Sequence, residues 1–231
     1  MPEIKLVIFD CDGVLVDSEF LAARHESRRY AEHGFELSIA EFSGRFAGLT
    51  GETISRQIEE ELGRKLPEGF YRQVESELDG ILEREIEAIS GIAQALKRIS
   101  LPRCIASNSG PQRLRMMLER TALHTHFDPH IFSAKELDPP APKPRPDIFL
   151  HAMRNFGVAP DEAVIIEDSV VGVTAARAAG ARVIGFTGGR HTYPAHAERL
   201  SDAGAETIIA SHHHLPATIE AFAAWEGIGA A

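Results

Sequence analysis

Apolar positions along the chain follow two different rhythms. Ile4-Lys5-Leu6-Val7-Ile8-Phe9 is short, β-branched and nearly continuous, the pattern of a parallel strand buried on both faces. It stops abruptly at Asp10-Cys11-Asp12-Gly13. Similar runs recur at Arg103–Ser107, Ala163–Glu167, Ala181–Phe186 and Thr207–Ala210, with a weaker one at His130–Ser133. Between them lie segments of helical periodicity, Pro111–Arg120, Pro146–Phe156, Val170–Ala179 and Leu215–Trp225. Gly180 supplies a stop after the alanine-rich helix, and Trp225 is expected to pack the last one. Strands alternating with helices predict right-handed crossovers and a doubly wound α/β fold with a parallel sheet.

Residues from about 18 to about 89 break that rhythm. Phe20–His33, Ile39–Phe46, Glu52–Leu62 and Pro67–Ile89 all read as helices, with no strand between them. Such a block predicts a small helical domain of residues 18–89 inserted after the first strand, with residues 1–17 and 90–231 forming the α/β core. The linkers fall near Val14–Ser18 and Ser90-Gly91. Glu83-Arg84-Glu85 reads as a solvated helix face. The prolines between Asp138 and Pro146 deny a helix and predict a stiff, extended loop.

Composition narrows the class. The 231 residues are 44% hydrophobic and 25% charged, the balance of a globular chain that can fill a core. A formal net charge of −10 argues against nucleic acid as a partner. It also means that any phosphate site needs local cations or a bound metal ion. Two cysteines, Cys11 and Cys104, without CxxC or Cys/His spacing predict buried thiols in strand-like segments rather than a disulfide framework or a zinc site. The first residues lack the basic and apolar regions of a signal peptide, and no apolar run approaches membrane-span length. The expectation is a soluble cytoplasmic protein with no membrane partner, a monomer or weak homo-oligomer.

In open α/β sheets ligands bind beyond the carboxyl ends of the strands. The first strand delivers Asp10 and Asp12 there, the Arg103–Ser107 strand Ser107-Asn108-Ser109, and the Ala163–Glu167 strand Glu167-Asp168-Ser169; Lys143 follows the proline-rich loop. Taken singly, each is an ordinary turn or cap residue. As a set they gather carboxylates, a hydroxyl and an ammonium around one crevice. Asp10 and Asp12 are two apart, so both side chains can face it, and Gly13 lets the chain turn afterwards. Crowded carboxylates without imidazole or thiol favour magnesium, which also binds phosphate.

Asp10–Glu19, read as DCDGVLVDSE, resembles the first motif of the haloacid dehalogenase-like hydrolase superfamily. Ser107-Asn108, Lys143 in KPRPDIF, and Glu167-Asp168-Ser169 with Gly172 resemble its second, third and fourth motifs, in order. The resemblance implies a Rossmann-like core with an α-helical cap, of the phosphoglycolate phosphatase and β-phosphoglucomutase branch. Bacterial sugar-phosphate and 6-phosphogluconate phosphatases are similar. It further implies that Asp10 is the nucleophile and Asp12 the acid and base. Asp10, the Asp12 carbonyl and Asp168 would hold Mg2+ with Glu167 nearby. Ser107, Asn108 and Lys143 would contact the phosphoryl group.

Asp12 and Asp168 disfavour dehalogenation. A mutase of this branch carries a cap histidine where Ala22 stands, and an arginine where Gly51 follows Gly48-Leu49-Thr50. Both departures turn the expectation toward phosphate-ester hydrolysis of small phosphorylated metabolites, sugar phosphates or phospho-sugar acids; the alternative is a phosphosugar mutase. Glu19 and Arg45 are the expected substrate contacts from the cap. His25 reads as a surface helix residue, Gly185–Arg190 as a simple turn, and His212–His214 as a loop leading a helix.

Overall fold

A computed structural model describes residues 3–224, so Trp225 lies outside the described residues. β1 (Leu6–Phe9) leads into four consecutive helices, α1 (Ser18–Ala31), α2 (Ile39–Phe46), α3 (Gly51–Leu62) and α4 (Phe70–Glu85). The chain continues through α5 (Ile92–Arg98), β2 (Arg103–Ser107), α6 (Pro111–Arg120), β3 (Ile131–Ser133) and α7 (Asp147–Phe156). It ends with β4 (Ala163–Glu167), α8 (Val170–Ala178), β5 (Arg182–Phe186), α9 (His196–Asp202), β6 (Thr207–Ile209) and α10 (Leu215–Ala224).

The sheet order is β3-β2-β1-β4-β5-β6, with every pairing parallel. β1 is central, and its side chains alternate between two cores. Val7 and Phe9 pack with Leu96, Leu114, Met117 and Phe222 on one face. Leu6 and Ile8 pack with Ile148, Phe149, Val173 and Leu200 on the other. The chain winds outward from β1 to β3 on one side, then crosses by α7 to β4 on the other. The direction of winding reverses at the carboxyl end of β1, where such sheets open a crevice.

The helical block has a core of its own, with Tyr30, Phe42, Phe46, Ile58 and Phe70. Two strands of linker join it to the sheet. Asp17 N–H donates to the Glu87 carbonyl (3.1 Å) and Ile89 N–H to the Leu15 carbonyl (3.0 Å), around an antiparallel bridge between Val16 and Ala88. This pairing corrects the expected helix Pro67–Ile89, which ends at Glu85 because Glu87 and Ile89 find backbone partners in the other linker. The short helices α5 and α9, seven residues each, escape the sequence pattern because two turns carry too little periodicity.

His25 is a correction too. It is buried, with Nε2 3.2 Å from Glu77 on α4, rather than on the surface. Cys104 lies in β2, whereas Cys11 lies just past the end of β1; both are buried thiols. His212–His214 form a single 3-10 turn leading α10, with His212 buried against the Val14 carbonyl at 2.7 Å. Among the described residues, no helix is long and apolar enough to cross a membrane.

Candidate active site

The turn after β1 is built by backbone bonds from Leu15 and Val16 to the Cys11 carbonyl and from Gly13 N–H to the Val16 carbonyl. Gly13 sits at φ +72°, and a Cβ there would overlap the Asp168 carboxylate. Only glycine satisfies both demands. The turn carries Asp10 and Asp12 to the mouth of a cavity of about 640 Å³ between the sheet and the helical block.

Lys143 Nζ reaches this crevice from the loop before α7 and donates to both Asp10 Oδ1 and Glu167 Oε1 at 2.6 Å. Asn108 holds that loop in place. Its Oδ1 accepts from Lys143 N–H (2.8 Å), and its Nδ2 donates to the Lys143 carbonyl (3.4 Å). Ser169 caps α8 by accepting from Gly172 N–H, and its hydroxyl and backbone N–H also donate to Glu167. Gly172 is required there because a Cβ would collide with the Glu167 carboxyl.

Asp12 accepts three hydroxyl bonds, from Ser18 (2.7 Å), Ser107 (3.2 Å) and Ser109 (2.7 Å). Ser18 opens α1, so this carboxylate ties the sheet to the helical block.

Electrostatics follow from burial. Desolvation pushes the Asp10 carboxyl well above its ordinary pKa, against the pull of Lys143, with Glu167, Asp12 and Asp168 adding to the rise. Glu167 is raised for the same first reason. Burial works against the Lys143 charge, yet Asp10 and Glu167 overcome it and raise its pKa. Asp10, Glu167 and Asp168 bring carboxylate oxygens within 4.8 Å of one another. One buried ammonium leaves this buried set short of positive charge. Hard oxygens so arranged fit a divalent cation.

A sequence family model of haloacid dehalogenase-like hydrolases matches residues 4–180. The chain belongs to this family. Among curated proteins it is similar to the 6-phosphogluconate phosphatase of Escherichia coli, 30% identical over 84% of this chain and 87% of that one. A conserved haloacid dehalogenase-like protein of unknown function from Agrobacterium tumefaciens superposes with a TM-score of 0.93 at 53% identity, covering 95% of this chain and 99% of the other. A hydrolase of the family from Deinococcus radiodurans, crystallised with phosphate and sodium, gives a TM-score of 0.84 at 30% identity, covering 96% and 97%.

In this haloacid dehalogenase-like hydrolase, Asp10, Asp12, Ser107, Asn108, Lys143, Glu167, Asp168 and Glu19 all line one cavity. Arg45 does not. It is exposed, paired with Glu61 and laid over the Phe46 ring at 4.9 Å, which removes it from the expected substrate contacts. The side-chain amide of Asn108 is engaged by the Lys143 backbone, so it orients the loop. Gly185–Arg190 is more than a turn. Arg190 N–H donates to Asp17 Oδ1 at 3.1 Å and its guanidinium pairs with the same carboxylate, gripping the linker.

Ser109, expected at the crevice beside Ser107, is there and donates to Asp12. Ser18, His191 and His196 were missed by sequence reasoning. His191 carried no signal, having no motif around it. Burial opposes its protonation, but Asp168, Glu19 and Asp17 outweigh this and raise its pKa.

Glu19 and Glu26, one α1 face apart by seven residues, form an acidic wall of the cavity. Desolvation pushes Glu19 up to about 8, with Asp168 and Asp12 adding and His191 opposing. It pushes Glu26 to about 7, with Glu75 adding and Arg113 opposing. A raised folded-state pKa gives stability that is whole below the ordinary carboxylate range and is lost as pH rises through about 7. Glu26→Gln should therefore gain in melting temperature over the wild type as pH rises from about 5 to about 8. Parallel melting curves across that range would refute the assignment.

Proposed function

We propose that this chain is a magnesium-dependent phosphatase of small phosphorylated metabolites, sugar phosphates or phospho-sugar acids, acting through an aspartyl-phosphate on Asp10. The observation that carries the reading is the 2.6 Å contact between Lys143 Nζ and Asp10 Oδ1 at the base of a cavity roofed by helices. The chain is a hydrolase, and its phosphatase-named relatives support phosphoric monoesters as the bond it cleaves. The finer substrate reading draws on the 6-phosphogluconate phosphatase likeness.

In this reading Asp10 attacks phosphorus in line, forming the Asp10–phosphorus bond as the bond to the ester oxygen breaks. Asp12 gives its proton to the leaving alkoxide and later takes one from the water that cleaves the acyl-phosphate. Ser107 would donate a hydrogen bond to a phosphoryl oxygen. Lys143 neutralises charge on the nucleophile and on the transferring group. Asp10, the Asp12 carbonyl and Asp168 would hold magnesium, with Glu167 beside them. When bound, the ion supplies charge neutralisation to the phosphoryl oxygens. Residues 18–89 act as a cap that excludes water from the cavity.

Ala22 and Gly51 line the cavity where a mutase would carry a histidine and an arginine, so the small side chains leave water as the acceptor. The test is phosphate release from p-nitrophenyl phosphate and a panel of sugar phosphates and phospho-sugar acids. Activity should vanish with EDTA and return with Mg2+. Isomerised product with little net phosphate would instead establish the mutase.

A further inference from the structure

The segment from His191 to Arg199 is not used by the mechanism above, yet it closes on one residue of the site from two directions. His191 is 3% exposed, and its Nε2 lies 2.8 Å from Asp168 Oδ2. The approach is a close polar contact, off the ideal hydrogen-bond axis. His196, also 3% exposed, donates from Nε2 to the backbone carbonyl of Asp168 at 2.6 Å. The two imidazoles meet edge to face with centroids 5.7 Å apart, and the Tyr193 ring stacks on His196 at 4.6 Å.

This arrangement is held from outside as well. A Cβ on Gly13 would approach the His191 ring at 3.0 Å, so the turn that carries Asp10 and Asp12 forms one wall of the imidazole's slot. On the far side, Arg199 donates to the Gly44 carbonyl of α2 at 2.6 Å and to the Tyr193 hydroxyl at 3.3 Å. The segment thus runs from the Asp168 carboxylate through the buried His191, Tyr193 and His196, and the exposed Arg199 makes its bond to the helical block.

Carboxylates that bind cations depend on such partners. Their free rotation costs affinity, and outer contacts that orient them are worth about 10–100-fold in metal binding. We propose that His191 is a positioning residue, holding the Asp168 carboxylate in the orientation in which it ligates the divalent cation, while His196 anchors the same residue's backbone. The proposal rests on the metal reading under Proposed function. His191 touches neither substrate nor reacting atoms in this role.

The test is isothermal titration of the full chain with Mg2+, and Mn2+ binding followed by electron paramagnetic resonance, in wild type, His191→Ala and His191→Gln. His191→Ala is expected to bind either ion about 10–100-fold more weakly. At saturating Mg2+ its KM for p-nitrophenyl phosphate should stay near the wild-type value, so the defect appears in metal dependence. His191→Gln refills the slot and keeps a side-chain N–H, and should recover most of the affinity. Equal cation binding by wild type and His191→Ala would overturn the role of His191 alone. So would equal losses in both variants. A wild type that binds neither ion would overturn the metal reading itself.

Discussion

Asp10→Asn is expected to lower phosphate release by about 10⁴-fold or more, since the amide cannot form the acyl-phosphate. The side chain keeps its shape, so binding of substrate should survive better than turnover. Stability should move the other way. Asp10 is buried, and desolvation already raises its pKa well above the ordinary value in spite of Lys143. For a carboxyl raised in this way, stability is whole below the unfolded-state pKa and is lost as pH rises through the folded-state one. The asparagine carries no such loss. Its melting temperature at neutral pH should equal or exceed that of the wild type, and the advantage should shrink in acid. An Asp10→Asn enzyme with full activity would sink the nucleophile assignment. A variant that loses activity only by unfolding would leave the amide's chemistry out of the explanation.

The second large effect concerns Lys143. Among the described residues its ammonium is the one cation bonded to both Asp10 and Glu167. Lys143→Met keeps most of the stem but removes the ammonium, which lies 4.8 Å from the Phe149 ring centroid, and leaves two buried carboxylates without their partner. Breaking a buried ion pair from one side costs about 3–5 kcal/mol. For a chain of this length that corresponds to a melting temperature lower by on the order of 10 °C. The deficit should be greatest above neutral pH and ease in acid, because protonating Asp10 and Glu167 removes the uncompensated charge. Activity should fall by at least about 10²–10³-fold even where the protein is folded, since transition-state charge loses its neutralising group. Thermal melts at several pH values, paired with phosphate release at low temperature, separate the two losses. A stable and active Lys143→Met variant would refute both.

Part of the site was legible because strand ends advertise themselves. An apolar run that stops at a carboxylate or hydroxyl residue marks both the strand and the residue facing the crevice. Asp10, Ser107 and Glu167 were placed in this way, and Lys143 followed from its loop. Orientation was not legible. Asn108 occurs beside Ser107 in the chain, but its amide is bonded to the Lys143 backbone. Arg45 sits on a helix of the right block, but on a face where Glu61 and aromatic rings hold it. His25 and Ala22 lie on the same helix, three residues apart, yet the histidine is buried against α4 while the alanine lines the cavity.

The amino-acid order alone therefore determined the sheet's strands, the inserted helical block and the carboxylate, hydroxyl and ammonium set, since these depend on local periodicity and on where each apolar run ends. Tertiary structure alone decided which linker strands pair, which cap side chains reach the cavity, and that His191, 23 residues after Asp168 in the chain, comes to lie 2.8 Å from it. Those contacts join elements that are remote or unpatterned in the chain. Their distances are set by packing of the two cores and by the turn at Gly13, and no local preference records them.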